Sequence, residues 1–424
     1  MTRKIVLLLL IVSVLFACEE ADNPNMIPEG TPRFDDLKAN YKSILASSEH
    51  GWKASYQPSE NTGVYNIIMK FDEEGLVSIS SDMNSYTVDT SEVFYDVKGA
   101  TYPELVFETF CVWHQIYEVA EGEFQFRIIS IDENSVQLGN INSSSSVPDV
   151  IFSKASEEDV EQLTKKQDIN QVLNGFYNGT DKYFKIMRFD DADVEGLIDF
   201  DFDRHQVYMN YSDPSGESVS TLANFEYDET GIVFTSELTI AGETIDRFDI
   251  SQTVDTVINL TGSPLNDGII YATDLPDFEI KGAVDLFYDY TFFYVGAYSP
   301  SLDTLEQQIQ EAGEFVGVQI YRDYELSPSQ RLNSLTFIVF EDFNDYDFYG
   351  FHTSQYTRLG EDRIRFHWSG GRDANVTNEF VDIVRNYVLF FYDQRGFKIV
   401  PINDTLIFVS YANPKNYMIV VPVF

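Results

Sequence analysis

Cysteine is almost absent. The chain of 424 residues holds two, Cys18 and Cys111, so a framework of disulfides does not hold this fold. Basic residues are scarce as well: 28 Lys and Arg stand against 69 Asp and Glu, a formal charge of −41. That excludes a general nucleic-acid binder, because a polyanion is repelled before contact. Histidine numbers only five, His50, His114, His205, His352 and His367, scattered between expected elements, and a structural role for each is the default. His-Glu-x-x-His, nucleophile-elbow, Walker and dinucleotide motifs are all missing, so the familiar signatures of catalysis are not there to read. What is abundant is aromatic: 34 Phe and 26 Tyr in a chain that is 44% hydrophobic, a composition that folds.

Long apolar runs are also lacking, except at the start. Arg3 and Lys4 precede Ile5 to Phe16, a run of roughly 18 Å as a helix against a hydrocarbon core of about 30 Å. It reads as a secretory signal peptide over residues 1–17 and not as an anchor helix. Leu15-Phe16-Ala17-Cys18 resembles the bacterial lipobox, with Phe16 bulkier than usual there; the alternative is an ordinary signal peptide cut near Ala17. The resemblance implies that Cys18 is lipidated and becomes the first mature residue. Residues 18–33 then form a tether in which Pro24, Pro28, Pro32 and Gly30 prevent regular structure, reaching about 43 Å if extended. A body this acidic does not adhere to an anionic membrane by charge, so its membrane partner is reached through the lipid alone. Glu19, Glu20 and Asp22 resemble the acidic surface-export signal of Bacteroidota lipoproteins, which implies an outer-membrane location facing the cell exterior.

Beyond the tether the pattern predicts mainly β structure with some α (α+β): consecutive antiparallel β-meander or barrel-like modules, each with an accompanying helix. Phe34, Leu37, Tyr41, Ile44 and Leu45 recur at helical spacing, and then the period drops to two. Trp52–Tyr56, Tyr65–Phe71, Leu76–Ser80, Glu104–Thr109, Phe124–Ile131 and Val136–Ile141 read as short strands. Turns such as Asp72-Glu73-Glu74-Gly75 separate them. This gives a module at residues 34–155. A second helix from Ser156 to Val172, capped by Ser156 and its acidic first turn, opens a second module at 156–275. Lys185–Asp190 resembles Ile67–Asp72 with Met187 and Met69 aligned; duplication and generic alternation both account for that. The third module, 276–424, is aromatic-rich, opening with a strand over Leu286–Tyr298 and carrying helices at Ser301–Ala312 and Asn378–Tyr392.

Gly51-Trp52-Lys53, Met69-Lys70-Phe71 with Gly75-Leu76-Val77, Leu105 to Thr109 with His114, and Phe225 to Phe234 with Gly242 resemble a Bacteroidota lipoprotein family of unknown function. The resemblance covers roughly residues 34 to 275. It implies a genomic context beside SusC/SusD-type nutrient importers and zinc metallohydrolase lipoproteins, and it lends no catalytic residues.

Three candidate features remain. Cys111, in Phe110-Cys111-Val112-Trp113, reads as a small buried hydrophobe. Asp191, Asp193 and Glu195 before Gly196 carry the alternating oxygen ligands of a calcium loop, although Phe202 stands where the closing Glu belongs. Asp199, Asp201 and Asp203 share one face of a strand, about 6.8 Å apart. Together the six predict a Ca²⁺ site, against the competing reading of a solvated acidic face. Tyr288, Tyr290 and Tyr294 on one strand, with Tyr346 and Tyr349 on a hairpin, predict a tyrosine platform for a glycan or peptide ligand, against the reading of core and cross-strand pairs. The expected function is a non-catalytic surface lipoprotein, an accessory or binding component of nutrient capture working with SusC/SusD-like importer components. The alternative is a cryptic hydrolase acting on a glycan through paired carboxylates.

Overall fold

The computed structural model describes residues 34–83, 93–99, 102–141, 147–212, 218–254, 257–312, 315–327, 330–342, 345–402 and 405–423. The expected signal peptide, Cys18 and the tether lie outside these residues, as does the Ser143–Ser146 loop.

Three closed antiparallel barrels of eight strands follow one another along the chain. Helix α1 (Phe34–Ala46) precedes the first barrel. Its strands are β1 (Trp52–Tyr56), β2 (Tyr65–Phe71), β3 (Leu76–Ser81), β4 (Val93–Lys98) and β5 (Glu104–Phe107). Helix α2 (Val112–Ala120) intervenes before β6 (Gln125–Ile131), β7 (Ser135–Asn140) and β8 (Val150–Lys154). Trp52 pairs with Lys154 to close the ring. Helix α3 (Glu157–Gly179) opens the second barrel: β9 (Phe184–Phe189), β10 (Val194–Asp201), β11 (Gln206–Ser212), β12 (Ser218–Tyr227) and β13 (Gly231–Phe234). A small hairpin, β14 (Thr239–Ile240) and β15 (Glu243–Thr244), intervenes before β16 (Arg247–Val254), β17 (Val257–Thr261) and β18 (Gly268–Thr273). The third barrel begins with α4 (Ala283–Asp289), β19 (Phe292–Tyr298), α5 (Pro300–Ala312), β20 (Phe315–Ser327), β21 (Gln330–Asp342), β22 (Asp345–Arg358) and β23 (Arg363–Arg372). It ends with α6 (Asn378–Phe391), β24 (Phe397–Ile402), β25 (Thr405–Ser410) and β26 (Tyr417–Pro422).

One plan is therefore used three times: a helix, five strands, an insertion, three strands. The insertion stoppers the barrel. In the first, α2 sends Trp113 inward, 4.9 Å from Phe126 and 5.6 Å from Tyr56 between ring centroids, with its Nε1–H on the Met69 sulfur. In the second, Leu238, Ile240 and Ile245 of the hairpin region join the core. In the third, Val384, Tyr387 and Phe391 of α6 do so. Eight strands enclose a space that side chains fill, and aromatics fill these. The period-two burial that closes each ring is plain in the sequence of β4, where Val93, Tyr95 and Val97 point in. Asp72 organises the turn read from the sequence, its Oδ1 accepting from Gly75 N and Leu76 N while Gly75 takes φ +104°.

The alignment of Met69 with Met187 does not survive. Met187 lies on β9, the strand that closes its barrel against β18, whereas Met69 lies on β2, the second strand of its own. The strand equivalent to β9 is β1. The expected strand over Leu286–Tyr298 is also wrong in its first half. Gly282 at φ +75° starts α4, and Ala283, Val284 and Phe287 bury a helical face before the chain extends from Phe292. Alternating tyrosines across that boundary imitate a strand.

The barrels are joined differently. Between the first and second the contact is largely buried, with two clefts of about 330 and 320 Å³ beside α3. Helix α3 packs Leu163 against Ile68 and Ala155 of the first module, and sends Leu173 and Phe176 into the second core. Midway, its Gln167 and Asn170 amides donate to Ser81 O and Asp82 O. Gly63 N donates to Arg204 O, Tyr65 OH to Asp203 O, Gln206 Nε2 to Asn61 O and Asn224 Nδ2 to Glu60 O. Asp82, fully buried, accepts from Asn66 N and Nδ2, and His205 stacks 4.7 Å from Tyr65 with Nδ1 on Val64 O.

Candidate functional site

Between the second and third barrels Phe184, Ile186 and Leu197 join the core cluster of the third module, and a cleft opens beside that apolar contact. Its volume of about 600 Å³ is within the usual size of a small-ligand site. One wall is the segment that leaves α3 and enters β9; the other is the loop between β25 and β26 with the start of α5. The first wall forms because α3 ends at Thr180, whose Oγ1 accepts from Lys182 N and turns the chain toward β9. The second is tightened by Ser410 Oγ, which accepts from Ala412 N and Asn413 N, and by Asn416 N on Asn413 O. Ser299 and Tyr417 exchange backbone and side-chain hydrogen bonds, which fixes β26 beside α5.

Across this cleft Tyr183 and Tyr417 meet with ring centroids 4.2 Å apart at 39°. Lys415 pairs with Asp181 at 2.7 Å across the two barrels, and Lys182 pairs with Asp274. Lys185 is different: it is 7% exposed, donates to Lys182 O at 2.7 Å and to Tyr183 O, and lies 5.2 Å from the centre of the Tyr177 ring. Burial lowers its pKa, which the charge of Asp199 partly opposes. Tyr177 OH is spent on Ile198 O, and burial holds the Tyr177 and Tyr183 hydroxyls well above their ordinary values. The hydrogen bond from Lys415 holds the Asp181 carboxyl below the usual range.

The cleft thus offers two oriented phenol rings, three lysine side chains, two carboxylates already paired, and the amides of Asn413 and Asn416. That set suits binding a polar molecule with an apolar face. Both carboxylates of the lining are held in ion pairs with lysines.

The acidic candidates do not converge. Asp191 accepts from Asn266 Nδ2, and Asp193, at φ +52°, ends a short 3₁₀ turn over Asp190–Ala192. Glu195 accepts from Tyr271 OH at 2.8 Å. At the far end of β10, about 20 Å away by strand rise, Asp201 caps the turn to β11, accepting from Asp203 N and Arg204 N. Asp199 keeps exposed surface overall, yet crowding withdraws its carboxyl from water and raises its pKa; burial does the same at Asp203. Among the described residues no group of three or more His, Cys, Asp or Glu is placed to hold a metal ion. The carboxylates of Asp191 and Glu195 are used at one end of the strand and that of Asp201 at the other.

The tyrosine platform is dispersed too. Tyr288 sits in α4 under the Arg322 guanidinium, and Tyr290 is the residue that ends that helix. Tyr294 stands exposed on β19, while Tyr349 packs on Phe380 at 4.5 Å. The side chain of Tyr346 lies outside the described residues. Cys111 is a buried free thiol at the start of α2, its Sγ 3.4 Å from His114 Nδ1, and burial pushes its pKa up to about 11. His367 bonds Thr357 and Arg365, so the glycine loop beside it faces His352 instead, which is paired with Asp373 at 2.9 Å.

The residues that do meet, Tyr183, Lys185, Lys415 and Tyr417, went unread in the sequence. The one signal was local, two lysines flanking a tyrosine at Lys182-Tyr183-Phe184-Lys185 in a chain poor in lysine; the partner wall lies more than 200 residues away.

Fold and cleft define a class: tandem stoppered β-barrels with a cleft at one seam. The chain belongs to the family described as a domain of unknown function (DUF4302), which matches residues 29–252, the first barrel and most of the second. No curated protein matches it. Among solved structures, the crystal structure of the DNA polymerase sliding clamp from Caulobacter crescentus shares 9% identity over 92% of this chain and 96% of that one. Its TM-score of 0.18 carries no argument.

Proposed function

We propose that this protein is a non-catalytic lipoprotein of the outer-membrane surface, anchored through Cys18, that serves as an accessory or binding component of nutrient capture beside SusC/SusD-like importer components. The observation that carries the binding part of this reading is the cleft between the second and third barrels. Its aromatic pair is preorganised, and its carboxylates are paired with lysines. A glycan or peptide is held by stacking on Tyr183 and Tyr417 and by hydrogen bonds from the surrounding amides and ammonium groups. The barrels themselves are filled by their own chain, so the seam is where a ligand fits.

The test has two arms. Labelling with palmitate and protease shaving of intact cells examine the anchor and the surface location; a Cys18→Ala variant that keeps its label, or a protein resistant to shaving, removes that part. A glycan and peptide binding array compares the mature chain with Tyr417→Ala. A ligand bound equally by both removes the cleft.

A further inference from the structure

Among the three lysines of the cleft, Lys185 stands apart. The residue is buried where it lines the cleft, yet the groups its ammonium touches are two backbone carbonyls and an aromatic face; among the described residues it forms no ion pair. The other two lysines of the cleft are matched, Lys182 by Asp274 and Lys415 by Asp181, which leaves the lining with one cation in excess. A buried cation without its anion is costly, and the cost is relieved by an anion brought to it. Asp199, the carboxylate that acts on Lys185 at a distance, is itself disfavoured as an ion by burial and does not close on it.

We propose that the ligand of this cleft is a carbohydrate bearing a carboxylate, a uronic acid residue whose ring stacks on Tyr183 and Tyr417 while its carboxylate completes the ion pair with Lys185. This rests on the reading of the cleft as a binding site and narrows its ligand. The rings make the case for a sugar over an acidic peptide: a pyranose presents a face of C–H bonds to a phenol and ring hydroxyls to the amides of Asn413 and Asn416. The formal charge of −41 sets a limit on the ligand as well. A densely charged polyuronate is repelled by the body of the protein, so the fitting chain carries its carboxylates singly between neutral sugars.

Calorimetric titration of the mature chain uses three probes: a trisaccharide with one glucuronic acid residue, the same trisaccharide as its methyl ester, and a short peptide with one glutamate. The acid is expected to bind at least about tenfold more tightly than the ester, a margin of about 1.4 kcal/mol. In Lys185→Met, which keeps the stem and removes the charge, the two affinities converge. Acid and ester bound equally by the native protein, with both weakened in Tyr417→Ala, overturns the carboxylate and leaves the cleft as a binding site for neutral sugars. Binding of the peptide alone, or of no probe, overturns both. If Lys185→Met fails to fold, the comparison of acid with ester on the native chain decides, and Lys415→Met, expected to keep the preference, assigns it; a preference lost there overturns the role of Lys185.

Discussion

The two seams of this molecule join copies of one architecture in different ways. At the first, barrels meet backbone to backbone: Gly63 and Val64 donate to Arg204 O and Phe225 O, and the trapped side chains of His205, Asn170 and Asn224 find partners in the neighbouring module, while the Asp82 carboxylate is held by Asn66 of its own. At the second, Phe184, Ile186 and Leu197 of the second barrel enter the apolar core cluster of the third, and beside that contact one ion pair and one ring contact cross a cleft. The first arrangement fixes an orientation and the second leaves room. What separates them is where the polar groups sit, since the same kinds of residue, aspartate, asparagine, tyrosine and a base, are bonded across the first contact and line a cleft at the second.

Breaking the first seam is expected to have the largest effect. A Cβ on Gly63 would lie 2.0 Å from Phe225 O and 2.6 Å from His205 O, both backbone atoms that cannot swing away. Gly63→Ala is therefore expected to cost about 3 kcal/mol or more in urea unfolding and to expose the seam to limited proteolysis. A midpoint within error of the parent would mean the barrels are not locked there.

The buried pair Asp82 and His205 sharpens the contrast through pH. Burial raises the Asp82 carboxyl to about 6, so its contribution to stability is full below about 3.8 and is lost as pH rises through 6. Burial lowers His205 to about 4, so its contribution is full above about 6.5 and is lost as pH falls through 4. Over the same window the two oppose and largely cancel. Measured against the parent, His205→Gln is expected to gain stability as pH falls from 6.5 to 4, and Asp82→Asn to lose it. Parallel profiles in the two variants would refute the opposition.

Ser156 comes next. Its hydroxyl and the Asp159 carboxylate cap α3 reciprocally, and α3 is the strut that spans the first seam. Ser156→Ala is expected to cost about 1 kcal/mol in the unfolding midpoint. The smallest effect belongs to the second seam. Asp181 and Lys415 are exposed, and Lys415→Ala is expected to leave the melting temperature unchanged, because a solvated pair contributes little. A clear loss of stability there would show the second seam to be held by charge.

Much of the fold was legible because alternation and turn chemistry are local. Trp52–Tyr56 and Tyr65–Phe71 were read to the residue, and α6 to within one. What escaped depended on contacts distant in sequence. Helix α2 was hidden because Cys111 to Trp113 is an apolar run that suits either structure, and only the barrel mouth it enters selects the helix. Strand β8 is five residues long; it pairs with β7 across the 141–149 connection and closes the ring on β1, a hundred residues upstream. The site was less legible still. Acidic and aromatic clusters are conspicuous along a chain, but Asp201 is spent on a turn and Tyr349 on a core contact. The tyrosines that face a cleft are single residues, at 183 and 417, brought together by ring closure of two different barrels.

The stopper between the fifth and sixth strands changes how such a chain can acquire specificity. A hollow barrel tunes its ligand from the inside, where each substitution also disturbs packing. With the barrels filled, a cleft lies at the joint between the second and third. Asp181, Lys182, Lys415 and Asn416 belong to no barrel core. They are free to change while the scaffold stays constant, so a lineage of these proteins can alter what it grips by rewriting two short connectors.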